Sequence, residues 1–304
     1  MIPISVIIVV KNNPPHFFET LESIKSFVSE IIIGDIDIGN DYRKRLLENK
    51  KVKSVTLPSS VPFADLVKED LKKETKGEYI LYLDPDEIFP TINNKQLTIL
   101  LQKYDYFYFP RKNIIFGKWI EHSRWWPDYN IRFFKRGYVE WQDAIHRPPI
   151  TTGQGINLDA DPKYALIHHH YRTLDEYLER LIRYSNQQVK ELLAEGYKFS
   201  LSDLISKPIG EFLSRFFAGE GYKDGLHGLT LSVLQAFSTF VVYLKVWQEE
   251  GFTPQKDVLT TPVFQKLIGS KFRELKYWLY TVKIHLSGKK SERFALKIKR
   301  KLNL

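Results

Sequence analysis

The chain contains no cysteine among its 304 residues. This absence excludes disulfides, zinc sites built from thiolates and a cysteine nucleophile. Long apolar runs are missing too, since none approaches the roughly 18 residues needed to span a bilayer. The apolar stretch Ile4–Val10 is preceded by no basic segment and followed by no cleavage site, which predicts a strand rather than a signal peptide. We therefore expect a cytoplasmic protein, or one bound peripherally at the inner face of a membrane.

Positive charge is concentrated in the segment 271–304. This segment holds eleven Lys and Arg against two acidic residues, so it carries the whole net charge of +9 and the rest of the chain is neutral. Apolar residues recur there at helical spacing on both sides of Ser287-Gly288. This pattern predicts two basic amphipathic helices lying flat on an anionic membrane, with Trp278 and Tyr280 near the headgroups. The alternative is that the first helix packs on the body and residues 288–304 form a solvated tail.

Extended and helical patterns alternate through the first part of the chain. Ile4–Val10 is a continuous β-branched run, which is typical of a strand buried on both faces of a parallel sheet. The alternation continues to another buried strand, Glu78–Leu83, which ends at an acidic turn. This order predicts an α/β fold with a mostly parallel sheet and right-handed connections.

The second part of the chain is mainly helical from Thr173 onward. Leu226–Trp247 is apolar on nearly all sides, which predicts a core helix. We predict three regions: a catalytic α/β domain over residues 1–172, a helical region over residues 173–270 that packs on it, and the basic amphipathic tail over residues 271–304.

The acidic turn Asp84-Pro85-Asp86-Glu87 directly follows the buried strand. Two carboxylates separated by one residue at a strand end point outward at the carboxyl edge of the sheet, where open α/β folds bind ligands. Hard oxygen ligands of this kind hold Mg²⁺ or Mn²⁺, which bridges a diphosphate. An Asp-Pro-Asp turn without any ligand is the alternative, and it would be preferred if the turn stood alone.

Several other segments match one family pattern together with this turn. The first strand ends near Lys11-Asn12, and the second ends in Asp35 before a turn with further aspartates. Gly77–Glu87 and Pro127–Arg136 match two longer motifs, and His146 and His168 stand where later histidines are typical. On these residues the chain resembles the family 2 glycosyltransferases, in particular bacterial enzymes that extend lipopolysaccharide cores and related glycans. The resemblance covers about residues 4–185 and continues more loosely through Tyr222–Gly228.

The resemblance implies a fold and a reaction. The fold is GT-A, a Rossmann-like mixed and mostly parallel sheet followed by a mainly helical region. The reaction is an inverting transfer, of the hexosyltransferase type, from a nucleotide-diphosphate sugar to a hydroxyl of a glycan or lipid-linked acceptor. A UDP-sugar is the favoured donor, Mg²⁺ or Mn²⁺ is the expected cofactor, and no nucleic acid partner is expected.

Site roles follow from the resemblance as well. Asp35 would accept hydrogen bonds from the base or ribose, Asp84 would face the ribose or sugar, and Asp86 would bind the metal. The implied nucleotide-sugar contacts are Asn12, Asp35, Lys68, Asp84, Trp125, Trp126 and Arg132, and the implied metal ligands are Asp86, His146 and His168.

Two departures from the family pattern affect the site. Lys68-Glu69 stands where relatives have Arg-Asn, so a phosphate contact by Lys68 is in doubt. His146-Arg147 stands where they have His-Glu, so the acid that would act as the base is missing. We favour Asp143, three residues before His146, as the catalytic base. Asp128 is the second catalytic candidate, although it is better suited to fixing the turn before the next strand.

Aromatic and histidine clusters have two interpretations each. Trp119, Trp125 and Trp126 suit either stacking on a sugar ring or core packing, and we favour stacking for the last two because they lie beside Asp128. Consecutive residues of a strand point to opposite faces, so His168–His170 cannot all bind one ion. We expect one of the three in the site and two in structural roles.

Other functions remain as alternatives at this point. A nucleotidyltransferase would use the same paired aspartates, but it would want a glycine-rich loop after the first strand, and Asn12-Asn13-Pro14-Pro15 has no glycine. A non-catalytic nucleic-acid-binding protein would use the basic tail, yet it leaves the neutral body without a purpose. An inactive transferase is the third alternative, because of Arg147.

Overall fold

The computed structural model describes residues 2–61, 64–91, 94–142, 148–254, 258 and 262–302. The chain divides into two compact units. The first comprises Met1–Ile115 and Trp125–His170, and the second comprises Phe116–Arg124 and Tyr171–Leu304. The first is an α/β unit, whereas the second is mainly helical.

The strands and helices are numbered in chain order. The strands are β1 (Ile4–Lys11), β2 (Glu30–Ile36), β3 (Val52–Thr56), β4 (Tyr79–Leu83), β5 (Glu87–Ile88), β6 (Tyr106–Phe109), β7 (Arg111–Ile115), β8 (Lys118–Trp119), β9 (Asn130–Lys135), β10 (Val139–Glu140), β11 (Ile150–Thr151), β12 (Gly155–Asn157) and β13 (Leu166–Tyr171). The helices are α1 (Phe17–Ile24), α2 (Asn40–Leu47), α3 (Lys68–Lys73), α4 (Asn94–Lys103), α5 (Leu174–Ala194), α6 (Leu201–Leu213), α7 (Leu226–Glu249), α8 (Pro262–Leu286) and α9 (Lys290–Leu302).

Seven of the described strands form the larger sheet of the first unit, in the order β12-β6-β9-β4-β1-β2-β3. The pairs β1–β2, β1–β4, β2–β3 and β6–β12 are parallel, while β9 runs antiparallel to both β4 and β6. In a smaller sheet, β13 lies between β5 and β7. The predicted fold class, a mostly parallel mixed α/β sheet followed by a helical region, is confirmed.

The continuous apolar run of β1 fills both faces of this sheet. Ile4, Val6 and Ile8 pack in a cluster with α1, whereas Ile7 and Val9 pack on the other side near α3. All of them are buried, because side chains of a strand alternate between faces and each face is covered. Burial on both faces explains why this strand shows no polar alternation.

The second unit is organised around a buried acid, Asp224, in the turn before α7. Its carboxylate accepts a hydrogen bond from the backbone N–H of His122 at 2.9 Å and lies 3.3 Å from the His122 ring nitrogen. Its backbone carbonyl accepts from the Lys118 ammonium at 2.9 Å. Asp224 therefore holds the segment 116–124 to the turn before α7, which gives the segment Tyr222–Gly228 a structural role.

The helix α7 is not the core helix that its composition predicts. Leu231, Val242 and Val246 are buried, but Leu226 and Val233 are 76% and 50% exposed. Because the helix is apolar on all sides, its sequence does not show which side is buried. The neighbouring elements leave one stripe of α7 exposed. Contrary to the expectation from apolar runs, α7 is long and apolar enough to cross a membrane by length and composition, and 22% of its most apolar stretch is buried.

The basic segment forms parts of two helices. Because α8 begins at Pro262, the predicted limit between residues 270 and 271 lies inside a helix. The ring of Trp278 on α8 stacks on Phe217 at 6.2 Å between centroids, and Ile284 is buried. These contacts anchor α8 within the second unit, while α9 buries no residue.

Two helical glycines of the second unit differ in the space around them, which generates a stability prediction. A methyl group on Gly228 would lie 1.7 Å from the Gly221 carbonyl oxygen, whereas one on Gly210 would meet nothing within 4 Å. We expect Gly228→Ala to lower the free energy of unfolding by about 3 kcal/mol through overpacking. Gly210→Ala should raise it by up to about 1 kcal/mol through helix propensity. Urea denaturation followed by circular dichroism measures both, and a shift of both variants in the same direction would contradict the packing argument.

Candidate active site

The loops after β1 and β2 meet at the carboxyl edge of the larger sheet. The backbone N–H of Asn12 donates to the Ile36 carbonyl at 3.0 Å, and the Asn13 side-chain oxygen accepts from the Gly39 N–H at 3.0 Å. Asn12 is exposed and adopts a left-handed conformation with φ of 57°. The parallel arrangement brings both loops to the edge where ligands bind in open α/β sheets.

Asp35 at the end of β2 is almost wholly buried, with 1% exposure. One of its oxygens accepts from the Ile38 N–H at 3.0 Å, and the other accepts from Arg43 Nε at 2.8 Å. The hydrogen bond that Arg43 donates to Asp35 raises the pKa of Arg43. Asp35 therefore fixes the turn after β2, and its expected bond to a base or ribose stays a prediction.

The acidic turn after β4 surrounds a buried arginine. Arg132 Nη2 lies 2.5 Å from Asp84 Oδ2 and 2.6 Å from Glu87 Oε1, and Arg132 is 4% exposed. Burial acts against the charge of Arg132, but the attraction of Asp84 and Glu87 prevails and raises the pKa of Arg132 above its ordinary value. Arg132, predicted to touch the nucleotide sugar, thus lies behind the acidic turn and holds it in place.

A second arginine, Arg111 on β7, connects this turn to Asp128. Its Nε and Nη2 lie 2.9 and 2.5 Å from Asp128 Oδ2, and its Nη1 lies 3.4 Å from Glu87 Oε1. Asn113 also donates to Asp128 Oδ2 at 3.1 Å. With these donors on its carboxylate, Asp128 has the contacts of a residue that fixes its own loop.

His168 on β13 is buried and oriented by Asn113. The Asn113 amide nitrogen donates to the Trp125 carbonyl at 2.9 Å, so the amide oxygen faces His168 Nδ1 at 2.7 Å and accepts its proton. In the neutral ring the acceptor nitrogen is then Nε2, which lies 3.7 Å from Asp86 Oδ1. A carboxylate oxygen and an imidazole nitrogen are both ligand atoms that a divalent cation accepts.

The three consecutive histidines divide between the two faces of β13. His170 Nδ1 lies 3.3 Å from His168 Nε2, and the His170 ring is 5.5 Å from the Trp125 ring. His169 points to the other face and stacks on His16 at 3.8 Å between ring centroids. Strand alternation therefore places His168 beside Asp86 and His170 against His168, with His169 on the opposite face.

Lys68, Trp125 and Trp126 are the other described residues that were predicted to contact the nucleotide sugar. Lys68 is 6% exposed, and its ammonium lies 4.2 Å from the centre of the Tyr82 ring and 4.9 Å from that of Trp141. Trp125 and Trp126 are half-buried, so each keeps part of its surface open. The predicted base Asp143 and the predicted ligand His146 lie outside the described residues, and their assignments stay predictions.

Sequence reasoning missed Glu87, Arg111, Asn113 and His170 as parts of this site. Glu87 belongs to the motif that ends the fourth strand, but the sequence does not show that its side chain is buried against the two arginines. Arg111 and Asn113 are polar residues spaced by two on β7, so they share one face of the strand, a signal that could have marked that face as lining a site.

The side chains described here fit a divalent cation. Ligand atoms of Asp84, Glu87 and His168 lie within 4.8 Å of one another, but Glu87 is engaged by both arginines, whereas Asp86 Oδ1 lies 3.7 Å from His168 Nε2. Around the turn, Asp84, Glu87 and Asp128 pair with Arg111 and Arg132 while Asp86 faces His168, so the four acids exceed the two arginines by two negative charges. Carboxylate oxygens are the donors that Mg²⁺ and Mn²⁺ prefer.

The buried position of Arg132 generates a second stability prediction. Arg132→Met would leave Asp84 and Glu87 close together with Arg111 as their remaining described cation. Removing one partner of a buried ion pair costs about 3–5 kcal/mol, and we expect a loss of that size in urea denaturation. Arg124→Ala is the matched control, since Arg124 is 55% exposed in its pair with Glu211 and should cost about 1 kcal/mol or less. Equal losses in the two variants would contradict the buried network.

Comparisons with known proteins support a glycosyltransferase. No protein-family model matches the chain. It is 23% identical over 259 residues to an uncharacterized glycosyltransferase of Rickettsia typhi, covering 80% of this chain and 86% of that protein. A similar protein of Rickettsia conorii is 20% identical over 277 residues, covering 85% and 94%. The structure of S. aureus TarS 1–349 in complex with UDP covers 80% of this chain and 92% of that chain at 12% identity, and its TM-score of 0.42 is a loose backbone likeness without functional weight.

Proposed function

We propose that this chain is an inverting glycosyltransferase of the family 2 type. It moves a hexosyl group from a nucleotide-diphosphate sugar, with a UDP-sugar favoured, to a hydroxyl of a glycan or lipid-linked acceptor. The observation that carries the proposal is the acidic turn Asp84–Glu87 at the carboxyl edge, backed by two arginines and faced by His168. The similarity to the two rickettsial proteins named as glycosyltransferases supports the same class.

The donor occupies the carboxyl edge in this proposal. The nucleotide lies over the loops after β1 and β2, where Asn12 is exposed, and the diphosphate lies toward Asp84 and Asp86. The side chains of Asp84 and Asp86 keep 32% and 17% of their surface accessible, whereas Glu87 keeps none. This difference assigns Glu87 to holding the arginines and leaves the two aspartates for the ligand.

A divalent cation belongs to the proposed site. Asp86 and His168 would hold Mg²⁺ or Mn²⁺ beside Asp84, because their acceptor atoms already face each other. When bound, such an ion neutralises the charge that develops on a leaving diphosphate. The role of the chain is to keep these acceptors in place, which Asn113 does for His168 and Arg132 does for Asp84.

The displacement itself needs a base for the acceptor hydroxyl. A carboxylate takes the hydroxyl proton, the oxygen attacks the anomeric carbon, and the nucleotide diphosphate leaves from the opposite face. We assign the base to Asp143 rather than Asp128. Asp128 is already engaged by Arg111 and Asn113, which suits a residue that keeps its loop in position.

A nucleotidyltransferase is not favoured by any contact in the described part of the chain. Such an enzyme would need backbone N–H groups of a glycine-rich loop to hold a triphosphate. The loop after β1 carries Pro14 and Pro15 instead, and proline has no N–H to donate.

The metal assignment is tested by changing Asp86. Asp86→Ala should abolish release of nucleotide diphosphate in a screen of UDP-, GDP- and dTDP-sugars with and without Mn²⁺. It should also weaken Mn²⁺ binding measured by electron paramagnetic resonance, while the circular dichroism spectrum stays unchanged. The matched control is Asp70→Ala on α3, which removes an exposed carboxylate paired only with Lys73 among the described contacts. Undiminished turnover of Asp86→Ala, or full activity in chelator, would reject the metal assignment.

Two further variants distinguish the two candidate bases, Asp143 and Asp128. Asp143→Asn should lower the turnover number by roughly 10²–10⁴-fold, the range for loss of a general base, and leave the donor dissociation constant unchanged. Asp128→Asn should instead lower the thermal midpoint, because Arg111 loses the carboxylate charge that its Nε and Nη2 contact. The roles are reversed if Asp128→Asn gives the kinetic pattern and Asp143→Asn does not.

A further inference from the structure

The helix α9 turns its large apolar side chains away from the helix beside it. Arg300 faces α8, where its Nη1 donates to Thr281 Oγ1 at 3.1 Å and its guanidinium lies 5.2 Å from the centre of the Tyr277 ring. Phe294, Ile298 and Leu302 follow each other at four-residue spacing on a different side and are 67%, 42% and 60% exposed. These three residues, the α9 stripe, form an apolar row that nothing in the described chain covers.

The orientation of the α9 stripe is fixed by the junction between the two helices. The Ser287 hydroxyl donates to Glu292 Oε2 at 2.8 Å, and Arg293 Nε donates to the Ser287 carbonyl at 2.7 Å. Ser287 itself is 8% exposed. With α8 anchored through Trp278 and Ile284, the junction and Arg300 together hold α9 so that its stripe points outward.

The exposed apolar residues of α8 do not continue this surface. Phe272 and Leu279 lie about 140–160° around the α8 axis from Tyr277, at about 100° per residue, and Tyr277 is on the side where α9 packs. The two exposed stripes thus point away from each other across the helix pair. The expectation that both helices lie flat on one surface does not follow from this geometry, and the inference concerns α9 alone.

Positive charge surrounds the α9 stripe. The helix carries four Lys and two Arg against one Glu. Lys290, Lys297 and Lys301 lie along one border of the stripe and are exposed. Such a charge repels a second copy of the same helix and favours an anionic partner.

We propose that the α9 stripe inserts into the headgroup region of a bilayer that contains anionic phospholipid, with the bordering lysines on the lipid phosphates. Phenylalanine and aliphatic residues on one face with lysines beside them are the composition of helices that lie in a membrane surface. A single-stranded nucleic acid would instead require aromatic platforms for base stacking, and the stripe has one aromatic ring. This inference goes beyond the proposed transferase function and does not depend on it.

Vesicle flotation of the full chain tests the proposal. The wild type should float with vesicles of phosphatidylcholine and phosphatidylglycerol, stay unbound with phosphatidylcholine alone, and lose binding as salt is raised. The variant Phe294→Ser/Ile298→Ser should not float. Lys290→Gln/Lys297→Gln/Lys301→Gln should bind about a hundredfold more weakly, the scale expected for three lysines near an anionic surface.

Matched controls come from the other exposed apolar surfaces of the same unit. Phe272→Ser/Leu279→Ser changes the α8 stripe, and Val233→Ser/Phe237→Ser changes the exposed stripe of α7. Both should float like the wild type. Since all these positions are exposed, circular dichroism should show every variant folded.

Any one of five outcomes would overturn the proposal. The wild type fails to float with anionic vesicles at low salt, or the α9 variant still floats. The α8 or α7 control loses binding while the α9 variant keeps it, which would place the lipid surface elsewhere. Light scattering shows a dimer that the α9 variant dissociates, which would make a second copy the partner. An oligonucleotide binds more tightly than the vesicles and is lost in the lysine variant alone, which would assign the charge to nucleic acid.

Discussion

The first unit depends on one buried cation, Arg132, held between Asp84 and Glu87 at the end of β4. The strand direction delivers it there. Because β9 is antiparallel to β4, its first residues lie at the carboxyl edge, where β4 ends. In a parallel strand the third residue would lie near the opposite edge. A single reversed strand within a mostly parallel sheet thus brings a guanidinium to the acids of the ligand edge.

The three acids of the turn divide the work according to their exposure. Glu87 is fully buried and spends its oxygens on Arg132, Arg111 and the Asp84 N–H. Asp84 is shared between Arg132 and solvent, while Asp86 faces His168. A planar guanidinium with several donors suits this task, because it holds two carboxylates at once in a fixed geometry. The contacts of Glu87 with the two arginines hold Asp84 and Asp86 in a fixed position. Groups fixed before a ligand binds are the ones that stabilise charge most effectively.

The sequence predicts the framework of this site better than its inner contacts. The β-branched run of β1 and the motif ending at Glu87 indicate which strands are buried and which carboxyl edge carries the acids. Arg111, Asn113 and His170 come from β7 and β13, whose pairing in the smaller sheet is set by tertiary packing between distant segments. The prediction that α7 is a core helix fails for a related reason. The sequence shows that the helix is apolar on all sides, but it does not show how many neighbouring elements cover it.

The two proposals concern polyanions, yet the residues that serve them differ in kind. The site uses two arginines, which keep the acids in one geometry; the side chain of Arg132 is 5% exposed and that of Arg111 is 15% exposed. The helix α9 uses mainly lysines at its surface, whose charge sits on a flexible stem. A diphosphate that must be placed for an in-line displacement needs the first kind, because a small misplacement lowers the rate steeply. In a fluid lipid surface the phosphates have no fixed position, so flexible lysine side chains can contact them without a precise geometry. The apolar stripe of α9 then sets how deeply the helix inserts into the bilayer.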